Sequence, residues 1–143
     1  MLILDTKKVT KRFGGLTAVN QVSMQVEEGQ VYGLIGPNGA GKSTFINSIV
    51  GRFAPTEGQV YFNGEETTGL SAEKMCHKGM ARTFQIPRPF PQLTVLENVK
   101  VGVIFGSVGK DAMPADERAK KTLDFVEFNL PIDTPADRLN AVQ

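Results

Sequence analysis

Nine residues, Gly36-Pro37-Asn38-Gly39-Ala40-Gly41-Lys42-Ser43-Thr44, constrain this chain more than any other stretch. They spell a glycine, four free positions and then Gly-Lys-Ser, the spacing of a loop that wraps phosphate. Gly36, Gly39 and Gly41 have no Cβ, so the backbone can adopt turns closed to other residues and aim its N–H groups at phosphate oxygens. Lys42 supplies a cation for the β- and γ-phosphates, and the Ser43 hydroxyl is an oxygen ligand of the kind Mg²⁺ prefers. From Lys42 onward Phe45, Ile46, Ile49 and Val50 recur at helical spacing, which predicts a helix whose N-terminal dipole attracts the anion. Before the loop, Val31-Tyr32-Gly33-Leu34-Ile35 is a nearly continuous apolar run, expected to be a parallel strand covered on both faces. Strand, glycine-rich loop and helix in that order predict an α/β core that binds the phosphate tail of a nucleotide with Mg²⁺.

Length and charge narrow the alternatives. The 143 residues allow one domain or part of one, and a formal net charge of +1 gives no basic surface for nucleic acid. The single cysteine, Cys76, makes no internal disulfide and reads as a half-buried helix residue in a reducing compartment. No stretch reaches the length of a membrane span, and Met1-Leu2-Ile3-Leu4-Asp5 lacks the basic start of a secretion signal. A soluble chain that stays inside the cell is therefore expected.

In chain order, Leu2 to Phe13 reads as a strand with a lysine-rich outer face, turning at Gly14-Gly15. Val22, Met24 and Val26 alternate with polar residues, which predicts a half-buried antiparallel strand ending at Glu28-Gly29. After the Gly51 to Gly58 connection, Val60-Tyr61-Phe62 runs into Asn63-Gly64, a hairpin signal. Ser71 is placed to cap a short helix that stops at Gly79. Met80 to Phe84 predicts another strand, with Gln85 at its carboxyl end, where open parallel sheets bind ligands. Pro87, Pro89 and Pro91 force a stiff loop. Thr94 and Glu97 spell a capping box ahead of a helix with Leu96, Val99 and Val103 on one stripe. Gly106 to Pro114 reads as a linker. A last helix is expected over Ala115 to Phe128, with Ala119, Leu123 and Val126 inward and the pairs Asp116–Lys120 and Glu117–Lys121.

Taken together, Phe13-Gly14-Gly15-Leu16-Thr17-Ala18-Val19, Gly33 to Thr44, Ala81-Arg82-Thr83-Phe84-Gln85 and Leu93-Thr94-Val95-Leu96-Glu97-Asn98-Val99 resemble, in order and spacing, the ATP-binding subunit of an ABC transporter. Their wording is most similar to subunits of branched-chain amino acid importers and relatives for amides and urea. The resemblance covers about Leu2 to Gln143. It implies a P-loop NTPase core of ABC type with an antiparallel β subdomain and the start of a helical subdomain, the C-terminal half being absent. The division implied is residues 1–70 for the β subdomain strands with the phosphate loop, strand and helix, 71–92 for the glutamine-loop region and 93–143 for part of the helical subdomain.

The same resemblance assigns roles. Phe13 takes the place of the aromatic that stacks on adenine, beside the cofactor-binding run Gly36, Pro37, Asn38, Gly39, Ala40, Gly41, Lys42, Ser43 and Thr44. Lys42 and Gln85 take the catalytic places, and Ser43 and Gln85 those of the metal ligands. Arg88, Phe90 and the prolines, within Gln85 to Pro91, fall where transmembrane permease subunits are contacted. His77 has no assigned role. A second ATP-binding subunit, permeases and, indirectly, an extracytoplasmic solute-binding protein are the implied partners, and the implied location is cytoplasmic, peripheral on the inner face of the cell membrane. The chain departs from the family at Leu139-Asn140-Ala141-Val142-Gln143, where Asn stands for Ser and Ala-Val for Gly-Gly of the signature, side chains that restrict close backbone approach to a γ-phosphate. A second apolar strand ending in Asp-Glu does not follow Gln85, so the chain is expected to hydrolyse ATP poorly. Two rival readings are a small P-loop kinase or other NTPase, which would need an arginine-rich lid, and a non-catalytic association module.

Overall fold

Strands β1 (Leu2–Phe13) and β2 (Leu16–Glu27) fold back on each other through the Gly14-Gly15 turn. The computed structural model describes residues 1–106 and 113–140 and divides into two units, Met1–Met75 and Cys76–Gln143. In the first unit β3 (Glu57–Phe62) pairs with the other edge of β1, and β4 (Glu65–Glu66) with β3, giving an antiparallel sheet of order β2-β1-β3-β4. The β3–β4 hairpin turns at Asn63 (φ 51°) and Gly64 (φ 78°), the two positive values that an Asn-Gly turn requires.

The first hairpin is interrupted, and its interruptions are repaired by side chains. Register shifts flank Val9, and Lys8 and Gln21 both take positive φ. Where the ladder breaks, hydroxyls replace it: the buried Thr6 Oγ1 accepts from the Met24 N–H at 2.8 Å, and the buried Thr10 Oγ1 accepts from the Gln21 N–H at 3.0 Å. An unpartnered buried N–H costs about 1–3 kcal/mol, so these threonines are structural even though they are polar. Around them Val9, Val19, Val60 and Phe62 form the core.

Helix α1 (Lys42–Ile49) lies against β1 and β2 and buries Phe45, Ser48 and Ile49, each large apolar side chain contributing about 1.5–3 kcal/mol. Ile46, expected on that face, is exposed, and Ser48 takes the place, its hydroxyl donating to the Thr44 carbonyl at 3.1 Å. Short helix α2 (Ala72–His77) follows Ser71, whose carbonyl accepts the Met75 N–H at 3.0 Å.

Two expected strands do not form. Residues 31–35 join no sheet, with Val31 98% and Ile35 94% exposed, and residues 80–84 likewise carry no ladder. A strand exists only where a neighbour accepts its hydrogen bonds, and among the described residues the one sheet is antiparallel and ends at β2 and β4.

In the second unit the capping box forms as expected at the start of α3 (Val95–Phe105). Leu96, Val99 and Val103 are half-buried, and Val95 is buried. Helix α4 (Ala115–Phe125) buries Ala119 and Leu123 but ends earlier than expected: Glu127 takes φ 54°, and Val126 is exposed rather than inward. Glu117 pairs with Lys121 at 3.3 Å, whereas Asp116 reaches across to Lys100 of α3 at 2.5 Å instead of along its own helix to Lys120. Most of the linker read over Gly106 to Pro114, and Ala141 to Gln143 of the signature position, lie outside the described residues. Among the described residues no helix is long and apolar enough to cross a membrane.

Candidate functional site

The first unit builds its phosphate loop on the sheet through Gly41. That residue is the N-cap of α1 with φ 86°, and a Cβ there would stand 2.2 Å from the Ala18 carbonyl oxygen of β2 and 3.3 Å from Val19 Cγ2. Only glycine satisfies both the left-handed backbone and the close approach. Gly39 is left-handed as well, at φ 85°, and faces open space. Gly36 does not use positive φ; a Cβ there would point at Ala40 Cβ (3.5 Å) and Lys42 Cδ (4.0 Å), into the curve of the loop. The glycines therefore serve three different ends, and the expectation that all three adopt forbidden backbone angles holds for two.

Residues 36–40 are exposed, and Lys42, Ser43 and Thr44 form the first turn of α1. No side chain caps that helix: Gly41 has none, and the first helical bond is the Phe45 N–H to the Gly41 carbonyl at 2.8 Å. First-turn N–H groups have no intrahelical acceptor, so they point outward at the mouth of the loop with the positive end of the helix dipole behind them. Lys42 Nζ donates to the carbonyls of Gly36 (2.6 Å) and Pro37 (2.7 Å), which holds its ammonium at the same mouth. Left-handed glycines, amides without a cap and one fixed ammonium suit the phosphates of a nucleotide, and the adjacent Ser43 hydroxyl suits Mg²⁺.

Phe13 ends β1 opposite Leu16 and remains 47% exposed. Its ring meets Phe53 edge to face, centroids 5.3 Å apart at 86°, and Lys11 Nζ stands over both rings at 5.2 and 5.0 Å. Sequence reasoning missed Phe53; its one signal was an aromatic residue inside an otherwise Gly/Pro-marked connection.

Gln85 belongs to the second unit, exposed in a bend, not at the end of a strand. The proline loop after it is fixed by a residue the sequence did not single out. Asn98 Oδ1 accepts from the Phe90 N–H at 2.8 Å, and Nδ2 donates to the carbonyls of Phe90 (3.1 Å), Leu93 (3.2 Å) and Thr94 (2.9 Å). Phe90 and Ile86 stay exposed on that loop. Next to it, the Glu97 carboxyl is held below the usual carboxylate range by hydrogen bonds from the Thr94 N–H and then its hydroxyl; Asp116 is lowered by its hydrogen bond from Lys100.

Residues 19–141 match the family described as ABC transporter. The chain is 38% identical, over its full length and 60% of the relative's, to a probable branched-chain amino acid transport ATP-binding protein LivG of Archaeoglobus fulgidus. It is 50% identical to the high-affinity branched-chain amino acid transport ATP-binding protein BraF of Pseudomonas aeruginosa, over 69% of this chain and 39% of that one. Among solved structures, a nucleotide-free ATP-binding cassette from an ABC transporter superposes with a TM-score of 0.81 at 37% identity, covering 98% of this chain and 60% of that one. A dimeric cassette bound to ADP and Pi superposes with a TM-score of 0.80 at 29% identity, covering 97% of this chain and 64% of that one. The chain thus spans about 60% of the length of the LivG relative and of the nucleotide-free cassette.

Proposed function

The chain belongs to the ABC transporter family, and from that premise we propose that it carries the nucleotide-binding part of an importer's ATP-binding subunit, serving branched-chain amino acids or related solutes. The names of the LivG and BraF relatives support the solute class. The observation that carries the site is the uncapped start of α1 behind two left-handed glycines, with Lys42 Nζ fixed at its mouth.

Bound Mg-ATP supplies a γ-phosphoryl group whose transfer to water releases the energy that transport uses. The N–H groups of Gly39 and of Gly41 to Thr44 hold the phosphate oxygens, and Lys42 leaves the Gly36 and Pro37 carbonyls to meet the β- and γ-phosphates, neutralising charge as it builds. Ser43 Oγ is an oxygen ligand for the metal. Phe13 offers its exposed ring to the base. Gln85 is proposed as a metal ligand and as the residue that orients the attacking water, a role supported by resemblance alone. Residues 85–91 face permease subunits, with Asn98 holding Phe90 in place, and a second ATP-binding subunit completes the working dimer at the inner face of the cell membrane, in contact indirectly with a solute-binding protein. Hydrolysis also needs the oriented water to be polarised, and no apolar strand ending in Asp-Glu follows Gln85 in these 143 residues, so on their own they are proposed to turn ATP over negligibly.

Titration with ATP and Mg²⁺ tests the proposal: saturable binding weakened at least about tenfold in Lys42→Ala supports it, since a lost charge-assisted contact to phosphate is worth about 1.5–3 kcal/mol. Binding that ignores Lys42 contradicts the site, and steady turnover that vanishes in Lys42→Ala contradicts the inactivity.

A further inference from the structure

Resting on the nucleotide reading above, we infer that Phe53 and Lys11 clamp the ring of Phe13 for base stacking, which makes Phe53 a positioning residue for nucleotide recognition. An aromatic ring at a strand end, half open to solvent, is otherwise free to turn about its own side-chain bonds. Here it is held from two directions. Phe53 meets it at 5.3 Å and 86°, the edge-to-face arrangement that ring quadrupoles favour, and the Lys11 ammonium sits over both rings, where the quadrupole attracts a cation.

The clamp is itself anchored. Lys11 Nζ donates to the Ala54 carbonyl at 2.7 Å, so the ammonium and the connection carrying Phe53 are fixed together. The Thr56 N–H donates to the Thr10 carbonyl at 2.7 Å, the Arg12 N–H donates to Thr56 Oγ1 at 3.0 Å, and Arg12 pairs with Glu57. Four links thus tie residues 54–57 to the end of β1, and Phe53 cannot drift from Phe13 without breaking them. Position completes the case: Lys11 pairs with Val19 and Phe13 with Leu16, while Gly41 of the phosphate loop rests on Ala18 and Val19. Ring platform and phosphate cradle stand on the same stretch of the hairpin, and the part of Phe13 that the clamp leaves open accepts a flat nucleobase.

The test compares two ligands, ATP and inorganic tripolyphosphate, each with Mg²⁺, so that base and phosphate contributions separate. Phe53→Ala should weaken ATP about twofold to tenfold, the range expected for one aromatic pair, and leave tripolyphosphate affinity unchanged. Phe53→Tyr should restore ATP affinity, and Phe53→Ala should add nothing in a Phe13→Ala background. If Phe53→Ala lowers the folded signal in circular dichroism, Phe53→Leu, which keeps an apolar side chain, takes its place with the same expectations. Equal losses for both ligands, no loss for either, or an undiminished effect without Phe13 would overturn the clamp. Lys42→Ala distinguishes the two levels: if it weakens both ligands while Phe53 variants are silent, only the clamp fails, and if it weakens neither, the phosphate site fails and the clamp with it.

Discussion

Helices α1 and α3 begin in opposite ways. At α3 every first-turn donor has an acceptor: the Val95 N–H donates to the Thr134 carbonyl (3.0 Å), the Leu96 N–H to the Ile132 carbonyl (2.9 Å) and the Glu97 N–H to Thr94 Oγ1 (3.2 Å). Glu97 closes the box by accepting the Thr94 N–H at 2.8 Å. At α1 the N-cap is a glycine, no side chain caps the turn, and a lysine stands at the opening. The start of α3 is sealed and serves the fold; α1 is uncapped, as α4 is, but among the described residues only α1 joins that opening to left-handed glycines and a fixed ammonium, which suit an anionic ligand.

That contrast breaks most severely at Gly41. An alanine there drives its Cβ into the Ala18 carbonyl at a left-handed backbone, so Gly41→Ala should destabilise the first unit by about 3 kcal/mol and abolish nucleotide binding, read by denaturant unfolding and titration. Thr10→Val probes the same unit away from the loop: the Gln21 N–H loses its acceptor, at a cost of about 1–3 kcal/mol in the same unfolding assay. Thr94→Ala sharpens the comparison from the sealed side, costing the second unit about 1 kcal/mol while leaving ATP affinity unchanged.

The smallest effect is a pH dependence. Because the folded state holds the Glu97 carboxyl below its unfolded value, its contribution is complete above the unfolded pKa and disappears as pH falls through the folded one. Thermal melts through the acid range should show wild type losing stability there that Glu97→Gln lacks throughout. Equal acid sensitivity of the two proteins would count against the carboxylate's part in the cap.

Local chemistry was legible in the sequence and pairing was not. The capping box, the Asn63-Gly64 turn and the phosphate loop each announce themselves within four to nine residues, because their hydrogen bonds close over that span. Residues 31–35 and 80–84 have strand composition, yet composition is silent on whether a neighbour lies alongside. The bulges of β1 escaped for a related reason: Lys8 and Gln21 are ordinary residues, and their positive φ falls at breaks in the ladder where their N–H groups are taken up by the Ser23 and Thr10 hydroxyls across the hairpin. Asp116 chose Lys100 over its own helix because α3 packs beside α4, a fact no i, i+4 count contains. Phe53 and Asn98 act through residues distant in sequence, 40 and 8 positions away, and only the folded chain brings Phe53 to Phe13 and Asn98 to Phe90.

The open start of α1 is tested most directly by amide chemical shifts of ¹⁵N-labelled protein titrated with ATP and Mg²⁺. The account predicts saturable shifts centred on the N–H groups of Gly39 to Thr44, lost in Lys42→Ala, with the Val95 to Glu97 amides unmoved. Shifts that cluster elsewhere, or a loop that stays silent at saturating nucleotide, would contradict it.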